Sequence, residues 1–430
     1  MKWSAHQYFT DTKDGLIKRL EPTSEETVFL ESIKEKIRIR TKAVFAEAKE
    51  VVRSLPHSRG VTDIRFVEEK VQNTRLHYLD KDDIKQVVEL LLDMKEEARQ
   101  TFLSTRPKFR IQGSYKYKTL NKPYHLPPQQ MDIDDGTYMP MGMFKSQPHI
   151  GHKLLLLLVD ASLASLVDEN STWEAQKKPT CGRIVIKNEN VHVDVPMYAI
   201  PPEQFIGCED AQSVAMGRMM ESVNKSSIHP PLILDRDCVY LAVRGKDTWI
   251  KSDPETVAGW FTEAIGRHGE SMRQICRYLK AWRDVQWKDP ELSSIALMKC
   301  VVDTFNFTAM PDTKDHSELL LKVTEQLATK LSSGVQSPDD TDSRLLFPKE
   351  SMNGETVAEV IDKAKNLYKQ LHFALNNTSS KGEVLQILNG LFGKGVVREE
   401  LIKPYSAMPA YQQPPQHQQK KQMSESMKSG

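Results

Sequence analysis

The stretch MDIDDGTYMPM, residues 131–141, places three aspartates within four positions between apolar neighbours. In a β-strand, residues i and i+2 point to the same face of the sheet, so Asp132 and Asp134 should project together while Ile133 enters the core. Carboxylates this close repel one another unless a positive group lies between them. The pattern therefore predicts a strand that presents two carboxylates to one metal ion.

A second strand offers a third carboxylate. In VHVDVP, residues 191–196, the three valines alternate with His192 and Asp194, so Asp194 should project from the face opposite the valines. Mg²⁺ prefers oxygen ligands, and two such ions about 3.5 to 4 Å apart can activate a hydroxyl and stabilise a leaving oxygen. We therefore expect Asp132, Asp134 and Asp194 to suit two Mg²⁺ ions.

Two other interpretations of the acidic stretch compete with a metal site. A lone D-x-D pair is more often a solvated acidic turn, since carboxylates are mostly exposed. A calcium-binding loop is excluded by spacing, because Gly136 falls at position 5 rather than 6 when counted from Asp132, and position 12 is Met143 rather than Glu. Asp135 should point away from the metal, and His192 is more typical of a strand end than of a ligand, so neither enters the predicted site.

A candidate phosphate-binding turn precedes the aspartates. The segment FRIQGSYKYKTLNKP, residues 109–123, carries Gly113 and Ser114 after a short apolar approach and before three lysines. Glycine allows close backbone approach, and backbone N–H groups with a serine hydroxyl can bind phosphate oxygens. Gly-Ser alone is a common turn. The order of motifs in this chain resembles the catalytic signature of the polymerase-β-like nucleotidyltransferases. That order is Gly-Ser, then Asp-x-Asp, then an aspartate on a later strand.

The composition of the 430-residue chain is that of an ordinary globular protein, with 39% hydrophobic residues, 27% charged residues and a formal net charge of +1. This balance gives no sign of a DNA activator. The five cysteines are widely spaced without a C-x-x-C pair, which favours a reducing cytoplasm over a disulfide framework or a zinc site. The longest apolar run, LLLLLV, is far shorter than the about 20 residues that span a bilayer, and the amino end lacks the apolar core of a signal peptide.

Hydrophobic periodicity predicts an α+β chain. The predicted helices span about 23–54, 83–103, 151–167, 273–287, 294–305, 316–333 and 355–376. The first of them should begin with a capping box formed by Thr23 and Glu26. Two strands are predicted over 182–187 and 191–198. The expected domains are a core at 1–250 that includes the N-terminal helix, a helical lobe at 251–403, and a disordered tail rich in Gln, Pro and Ser at 404–430.

The similarity extends to a particular family. The motifs QGSYKY, MDIDDGTYMPM, TCGRIVI, HVDVPMYAIP, WIKSDP, LKAWRDVQW, SSIALM and SPDDTD resemble, in order and nearly end to end, the bacterial cGAS/DncV-like nucleotidyltransferases. The resemblance implies a bilobal fold, with a mixed sheet that carries the aspartates and a helical lobe that closes the cleft. It also implies an enzyme of anti-phage signalling that joins ATP and GTP, with Mg²⁺, into a cyclic dinucleotide, with 3′,3′-cyclic GMP-AMP favoured.

The resemblance assigns roles residue by residue. Asp132, Asp134 and Asp194 are similar to the catalytic metal-binding triad, and the loop over the triphosphate corresponds to Gln112, Gly113, Ser114, Tyr115, Lys116 and Tyr117. Other nucleotide contacts implied are Arg183, Ser252, Lys280, Ser294 and Asp342. Locally, Lys280 should share a basic helix face with Arg273 and Arg277, either as a phosphate clamp or as a solvated face. Ser294 could equally be a simple N-cap.

The resemblance also implies partners. A folate-like inhibitor is expected on the basic face of the first helix and the strand beside it, through Lys36, Arg38, Arg40, Lys42, Lys108 and Arg110. An E1/E2-like ligase would conjugate the chain through Gly430, and a downstream effector would respond to the cyclic dinucleotide. Two alternative functions are a template-independent polymerase or tRNA nucleotidyltransferase, and a non-catalytic nucleotide-binding module. The motifs leave the base selectivity open.

Overall fold

A computed structural model of the chain describes residues 2–55, 64–140, 148–200, 239–245, 250–340, 342, 344–393 and 395–405. Nearly all of the predicted tail at 404–430, including Gly430, lies outside the described residues. Within them the chain is a mixture of helices and strands, so the predicted α+β class is confirmed.

One mixed β-sheet carries the predicted aspartates. Its strands are β2 (Lys108–Gln112), β3 (Met131–Pro140), β4 (Trp173–Lys177), β5 (Cys181–Ile186), β6 (Val191–Ile200), β7 (Tyr240–Leu241) and β8 (Ile250–Lys251). The main order is β2-β3-β6-β5-β4, with β7 paired to the far end of β6 and β8 paired to β7. Strands β3 and β6 are parallel, and the other neighbours are antiparallel. The sequence prediction of a hairpin is confirmed by β5 and β6.

Four two- or three-residue strands lie outside this sheet. They form two pairs, β1 (Trp3–Ser4) with β11 (Lys403–Pro404) and β9 (Val335–Gln336) with β10 (Leu345–Phe347). The first half of the chain contains helices α1 (His6–Thr10), α2 (Leu16–Leu20), α3 (Ser24–Ser54), α4 (Ile64–Gln72), α5 (Lys81–Leu92), α6 (Glu96–Ser104), α7 (Gly113–Lys116) and α8 (Pro148–Glu169). The second half contains α9 (Pro254–His268), α10 (Glu270–Gln286), α11 (Ser294–Phe307), α12 (His316–Ser332), α13 (Gly354–Asn376) and α14 (Lys381–Phe392).

The long helix α3 and the apolar helix α8 pack beside the sheet and form one hydrophobic core with it. Helix α3 begins with the predicted capping box, in which the Thr23 hydroxyl accepts from the Glu26 N–H and the Glu26 carboxylate accepts from the Thr23 N–H. Helix α8 is long and apolar enough to cross a membrane, but 83% of its apolar window is buried inside the protein. It is therefore best described as a core helix.

The prediction of a single helix over 83–103 is wrong. The chain forms two helices there, α5 and α6, and Asp93 is the C-cap of the first. The acidic residues Glu96 and Glu97 suit a new helix N-terminus, where the macrodipole favours negative charge. The break also lets the buried Arg99 guanidinium donate to the carbonyls of Val52 and Leu55, at 2.8 Å each. These contacts satisfy carbonyl groups at the end of α3.

The described helices from α9 onward form a second hydrophobic core, which also includes apolar residues of segment 2–20. Phe9 packs its ring against Tyr278 and Phe392, and β1 pairs with β11 near the other end of the described chain. The amino-terminal segment 2–20 therefore packs with the helical lobe, whereas the sequence analysis assigned it to the core domain. Apolar contacts far apart in sequence cause this difference, which helix periodicity cannot reveal.

Hydrogen bonds tie the segment between α7 and β3 to the helical lobe. The Asn121 amide donates to the carbonyl of Arg277 at 2.9 Å, and the Gln129 amide donates to the carbonyls of Asp284 and Trp287 at 2.9 and 2.6 Å. Both amides are buried, so these bonds are shielded from competition with water. This segment fixes one wall of the cleft that lies over the aspartates.

Candidate active site

The strand register places the three predicted carboxylates side by side. Asp134 on β3 lies directly opposite Asp194 on the parallel strand β6, and Asp132 lies opposite His192. On the flanking strands β2 and β5, Gln112 is paired with Asp134 and Arg183 is paired with Asp194. One row across the sheet therefore consists of Gln112, Asp134, Asp194 and Arg183. Asp132 and His192 form a second polar pair beside this row.

Alternation along β3 separates the functional aspartates from their neighbour, as predicted. Ile133 is buried in the core, and Asp135 points to the face opposite Asp132 and Asp134. There Asp135 accepts two hydrogen bonds from the Arg38 guanidinium, at 2.7 and 2.5 Å. This buried ion pair joins helix α3 to the sheet and leaves only the other two aspartates of the stretch facing the cleft.

One carboxylate of the cluster, Asp134, is electrostatically unfavourable without a cation. Burial and the neighbouring charges of Asp132 and Asp194 raise the pKa of Asp134 well above its ordinary value. Oδ1 of Asp132 is buried and lies 2.9 Å from Nε2 of His192, and this contact holds the pKa of Asp132 below its ordinary value against the opposing effect of burial. Asp194 is compensated by the Arg183 guanidinium, which donates to its two oxygens at 2.5 and 2.7 Å.

These residues fit a divalent metal ion. Asp132, His192 and Asp194 each offer a ligand atom, and the three atoms lie within 4.8 Å of one another. Asp134 sits beside them with its raised pKa, so a cation here would relieve repulsion in addition to gaining ligands. The site therefore supports dependence on divalent metal.

The Gly-Ser turn lies against the same carboxylates. Gly113 adopts a φ of +60°, and a Cβ atom at this position would lie 1.9 Å from Oδ2 of Asp134. Only glycine therefore permits both the left-handed backbone and the close approach. Of the predicted loop, the residues that border the cleft are Gln112, Gly113, Ser114 and Tyr117.

Two residues of the predicted loop point elsewhere. The Tyr115 hydroxyl donates to Glu31 on α3, and the Lys116 ammonium pairs with Glu255 on α9. Neither residue borders the cleft in the described part of the chain. These two contacts anchor the short helix α7 between the sheet domain and the helical lobe, which is a structural role.

A cleft of about 920 Å³ lies above the aspartates, between the sheet and the helical lobe. The remaining predicted nucleotide contacts all border it, namely Arg183, Ser252, Lys280, Ser294 and Asp342. Asp342 is held by Arg344, whose guanidinium donates to its two oxygens at 2.7 and 2.9 Å. The structure thus brings together residues that are more than 200 positions apart in the sequence.

Of the three residues of the predicted basic clamp on helix α10, only Lys280 borders the cleft. Lys280 is buried, donates to the carbonyl of Thr119 at 2.6 Å, and has its pKa lowered to about 8 by burial and by nearby arginines. Arg277 instead donates to Asn121 at 2.9 Å, and Arg273 pairs with Glu270. By their spacing the three side chains lie on one side of the helix, but Arg277 and Lys280 are buried rather than solvated, and only Lys280 borders the cleft.

The N-cap of helix α11 is Ser293, whose hydroxyl accepts from the Ala296 N–H at 3.2 Å. Ser294 is the first helical residue, so the alternative of a simple N-cap at this position is wrong by one residue. Its hydroxyl accepts instead from the Arg283 guanidinium at 2.7 Å, at the edge of the cleft.

Sequence reasoning missed several residues that border the cleft. His192 and Gln130 stand beside Asp132, while Arg283 and Asp284 line the helical wall. The sequence prediction excludes His192 from the site, although His192 shares the parity of Asp194 on β6 and borders the cleft. The helical-wall residues gave no sequence signal, since only tertiary packing brings them to the cleft.

The fold and the site together define a nucleotidyltransferase. Three carboxylates converge on a mixed sheet, a Gly-Ser turn lies against them, and a helical lobe stands across the cleft. Two family models match the chain, "Cyclic GMP-AMP synthase DncV-like, nucleotidyltransferase domain" over residues 107–198 and "Cyclic GMP-AMP synthase, C-terminal domain" over 269–405. The chain belongs to the family of DncV-like cyclic GMP-AMP synthases and is a nucleotidyltransferase enzyme.

Similar proteins cover the whole chain. The cyclic GMP-AMP synthase of Vibrio cholerae serotype O1 is 41% identical over 439 residues, which span 100% of both chains. The structure of Vibrio cholerae DncV with the linear intermediate 5′ pppA(3′,5′)pG has a TM-score of 0.82 and 39% identity, covering 95% of this chain and 100% of that one. The same enzyme with GTP and the folate-derived 5MTHFGLU2 has a TM-score of 0.83 and 40% identity, covering 94% and 100%.

We predict that Asp134→Asn stabilises the metal-free protein. In the folded chain the Asp134 carboxyl ionises at a higher pH than in the unfolded chain, so its contribution to stability is lost as pH rises from about 4 through the raised folded pKa. Asparagine removes this penalty. Urea unfolding in EDTA at pH 7.5 should show a gain on the order of 1 kcal/mol, which disappears near pH 4.

The matched control is Asp135→Asn, one residue along the same strand. It weakens the buried pair with Arg38 and should lower the free energy of unfolding by roughly 2–4 kcal/mol. If Asp134→Asn destabilises the protein at pH 7.5 as Asp135→Asn does, the carboxylate cluster is not under electrostatic strain.

Proposed function

We propose that this enzyme joins ATP and GTP into a cyclic dinucleotide, 3′,3′-cyclic GMP-AMP, in anti-phage signalling. The observation that carries the proposal is the convergence of Asp132, Asp134 and Asp194 on two paired strands, where Asp132 and Asp134 line a cleft of about 920 Å³. Support comes from the relatives named cyclic GMP-AMP synthase and from the linear intermediate 5′ pppA(3′,5′)pG bound to Vibrio cholerae DncV.

The reaction consists of two successive nucleotidyl transfers. The 3′-hydroxyl of one nucleotide loses its proton to water as its oxygen attacks the α-phosphorus of the other. The new P–O bond forms while the bond from the α-phosphorus to the β-phosphate oxygen breaks, and pyrophosphate leaves with the electron pair of that bond. The linear product then repeats the step with its own 3′-hydroxyl and triphosphate, which closes the ring. When bound, two Mg²⁺ ions would supply activation of the attacking hydroxyl and charge stabilisation on the leaving oxygen.

The chain's own residues have distinct tasks in this proposal. The carboxylates Asp132, Asp134 and Asp194 would hold the cations, while the N–H groups and hydroxyl of the Gly113–Ser114 turn would bind the triphosphate. Lys280, buried beside them, balances phosphate charge from the helical side.

Four further residues complete the proposed contacts. Arg183 orients Asp194 through its two hydrogen bonds. The carboxylate of Asp342 could accept from guanine N–H donors, and Ser252 and Ser294 offer hydroxyls at the cleft wall.

We predict that the double variant Asp132→Asn with Asp134→Asn loses cyclic dinucleotide synthesis by at least about a thousandfold, because the amides remove several kcal/mol of metal-dependent charge stabilisation. Purified protein is incubated with Mg²⁺, ATP and GTP, and the products are identified by mass spectrometry. Asp82→Asn, an exposed position on α5, is the matched control and should retain wild-type synthesis.

Each outcome of this assay is informative. Activity retained in the double variant would refute the metal assignment. Oligomeric or RNA-extended products from the wild type would indicate a template-independent polymerase or tRNA nucleotidyltransferase. A folded wild type that makes no product would favour a non-catalytic nucleotide-binding module.

We also propose that a folate-like anion binds a second pocket, about 680 Å³ in volume, beside α3 and β2. Its basic lining residues are Lys42, Lys49, Arg53, Arg106 and Lys108. Of the face predicted from the sequence, Lys42 and Lys108 border this pocket, whereas Arg38 pairs with Asp135 and Arg40 pairs with Glu169. The 5MTHFGLU2 ligand of Vibrio cholerae DncV supports the proposal.

For this pocket we predict that Lys42→Ala weakens binding of a folate diglutamate roughly three- to tenfold, since one exposed charge pair contributes about 1 kcal/mol. Isothermal titration calorimetry is the measurement. Lys36→Ala is the control, because Lys36 is exposed on the same helix but does not border the pocket. Equal losses in both variants, or no binding by the wild type, would contradict the assignment.

The ligase and the effector implied by the resemblance stay predictions. For the ligase, the predicted attachment point Gly430 lies outside the described residues. Deleting Gly430 should leave dinucleotide synthesis unchanged, since the proposed nucleotide contacts end at Asp342. It should prevent covalent conjugates when an E1/E2-like ligase is supplied, as judged by gel mobility and mass spectrometry. Conjugates of undiminished yield would show that this glycine is not the attachment point.

A further inference from the structure

Gln112 borders the cleft, yet its side-chain amide makes its hydrogen bonds within the protein. The amide nitrogen donates to the Tyr138 hydroxyl at 2.6 Å, and the amide oxygen accepts from the Tyr198 hydroxyl at 3.3 Å. All three side chains are buried. Because buried hydrogen bonds are shielded from competition with water, the two tyrosines fix the orientation of the amide.

The two tyrosines lie on the sheet face that carries the metal-binding carboxylates. Tyr138 stands four residues after Asp134 on β3, and Tyr198 stands four residues after Asp194 on β6, so each pair shares a face. The register places the tyrosines side by side, and their rings stack with centroids 5.0 Å apart. The stack therefore lies on the carboxylate face, about 13 Å further along the strands.

Packing holds the stacked rings in place. Both rings belong to a small apolar cluster with Ile200 and Val239. The guanidinium of Arg110 lies 5.3 Å from the centroid of the Tyr138 ring, which is a cation–π distance. Rings that are close-packed on this scale do not shift freely, so the hydroxyls present a fixed pair of partners to the amide.

Gly136 provides the space that the Gln112 amide occupies. A Cβ atom at position 136 would lie 2.3 Å from the amide nitrogen and 2.9 Å from a ring carbon of Tyr138. Gln112 is also the N-cap residue of α7, but its side chain makes no capping hydrogen bond, and Gln is not among the preferred N-cap residues. The side chain therefore serves the contact with the tyrosines.

We propose that Tyr138 and Tyr198 are positioning residues for nucleotidyl transfer, which hold the Gly113–Ser114 turn in place for the triphosphate through the Gln112 amide. The inference rests on the proposed function and deepens it, because the side chain of Gln112 then acts through the turn. A lost hydroxyl leaves part of the amide unpaired and free to rotate. Binding of the triphosphate should weaken, whereas binding of the base and ribose should not.

The test compares two nucleotides by isothermal titration calorimetry of the full-length protein with Mg²⁺. They are GMP and a GTP analogue with a methylene group between its α- and β-phosphorus atoms. Tyr138→Phe should bind the analogue roughly tenfold more weakly and GMP less than about twofold more weakly, since GMP lacks the phosphates that reach the turn. A smaller fraction of folded protein changes neither dissociation constant. Without nucleotide, amide hydrogen exchange over residues 113–117 should be faster in the variant.

The matched control is Tyr8→Phe in the helical lobe. Tyr8 is fully buried, its hydroxyl donates to Asn389 at 3.2 Å, and it does not border the cleft in the described part of the chain. This variant should keep both affinities. Unchanged affinity for the analogue in folded Tyr138→Phe, or an equal loss in Tyr8→Phe, would overturn the proposal.

A double-mutant cycle tests whether the tyrosines act through Gln112. Gln112→Met with Tyr138→Phe should bind the analogue no more weakly than Gln112→Met alone, because the amide that the hydroxyl holds is already absent. Additive losses would overturn the proposed route.

Two further variants decide the question if Tyr138→Phe does not fold. Tyr198→Phe removes only the longer of the two hydrogen bonds, and Gly136→Ala keeps both hydroxyls but displaces the amide. Each should weaken binding of the analogue at least about threefold and spare GMP. Unchanged affinity in both folded variants would overturn the proposal.

Product formation from ATP and GTP by the wild type separates this proposal from the proposed function. Cyclic dinucleotide synthesis, combined with unchanged analogue affinity in the tyrosine variants, would overturn the positioning role and leave the proposed function intact. A selective loss of analogue affinity in variants of a protein that makes no cyclic dinucleotide would support the positioning role and count against the proposed function.

Discussion

The pairing of strands β3 and β6 imposes the constraint on which the rest of the site depends. A parallel ladder fixes Asp134 beside Asp194, and a shift of one residue would turn the carboxylates into the core and the apolar residues into the cleft. The fold therefore holds like charges together, at a cost that appears in the raised pKa of Asp134. The surrounding groups reduce this cost, with Arg183 on Asp194 and Lys280 across the cleft.

The helical lobe contributes to the site through contacts that are remote in sequence. Lys280 reaches the cleft because its ammonium donates to the carbonyl of Thr119, and the neighbouring Arg277 is fixed by Asn121. Lys116 and Glu255 join the short helix after the Gly-Ser turn to the helical lobe. The sheet thus supplies the charged base, and the segment 117–130 couples it to the wall that faces it.

Local periodicity explains which features the sequence could predict. Features that depend on neighbouring residues could be predicted, and the structure shows the same arrangement. They are the shared strand parity of Asp132, Asp134 and Asp194, the opposite direction of Asp135, and the turn at Gly113. The break between α5 and α6 and the packing of segment 2–20 depend on Arg99 and Phe9 meeting distant parts of the chain. The same holds for the separate roles of Arg273, Arg277 and Lys280. His192 was excluded by a general expectation, although its parity on β6 placed it correctly.

The central claim is that the strand register builds a cation site from three carboxylates. A crystal structure of the protein with Mn²⁺ and nonhydrolysable nucleotides tests this claim most directly, through anomalous difference density. The account predicts density in contact with Asp132, Asp134 and Asp194, with Arg183 still beside Asp194. Density only elsewhere in the cleft, or a carboxylate turned away from bound metal, would contradict it.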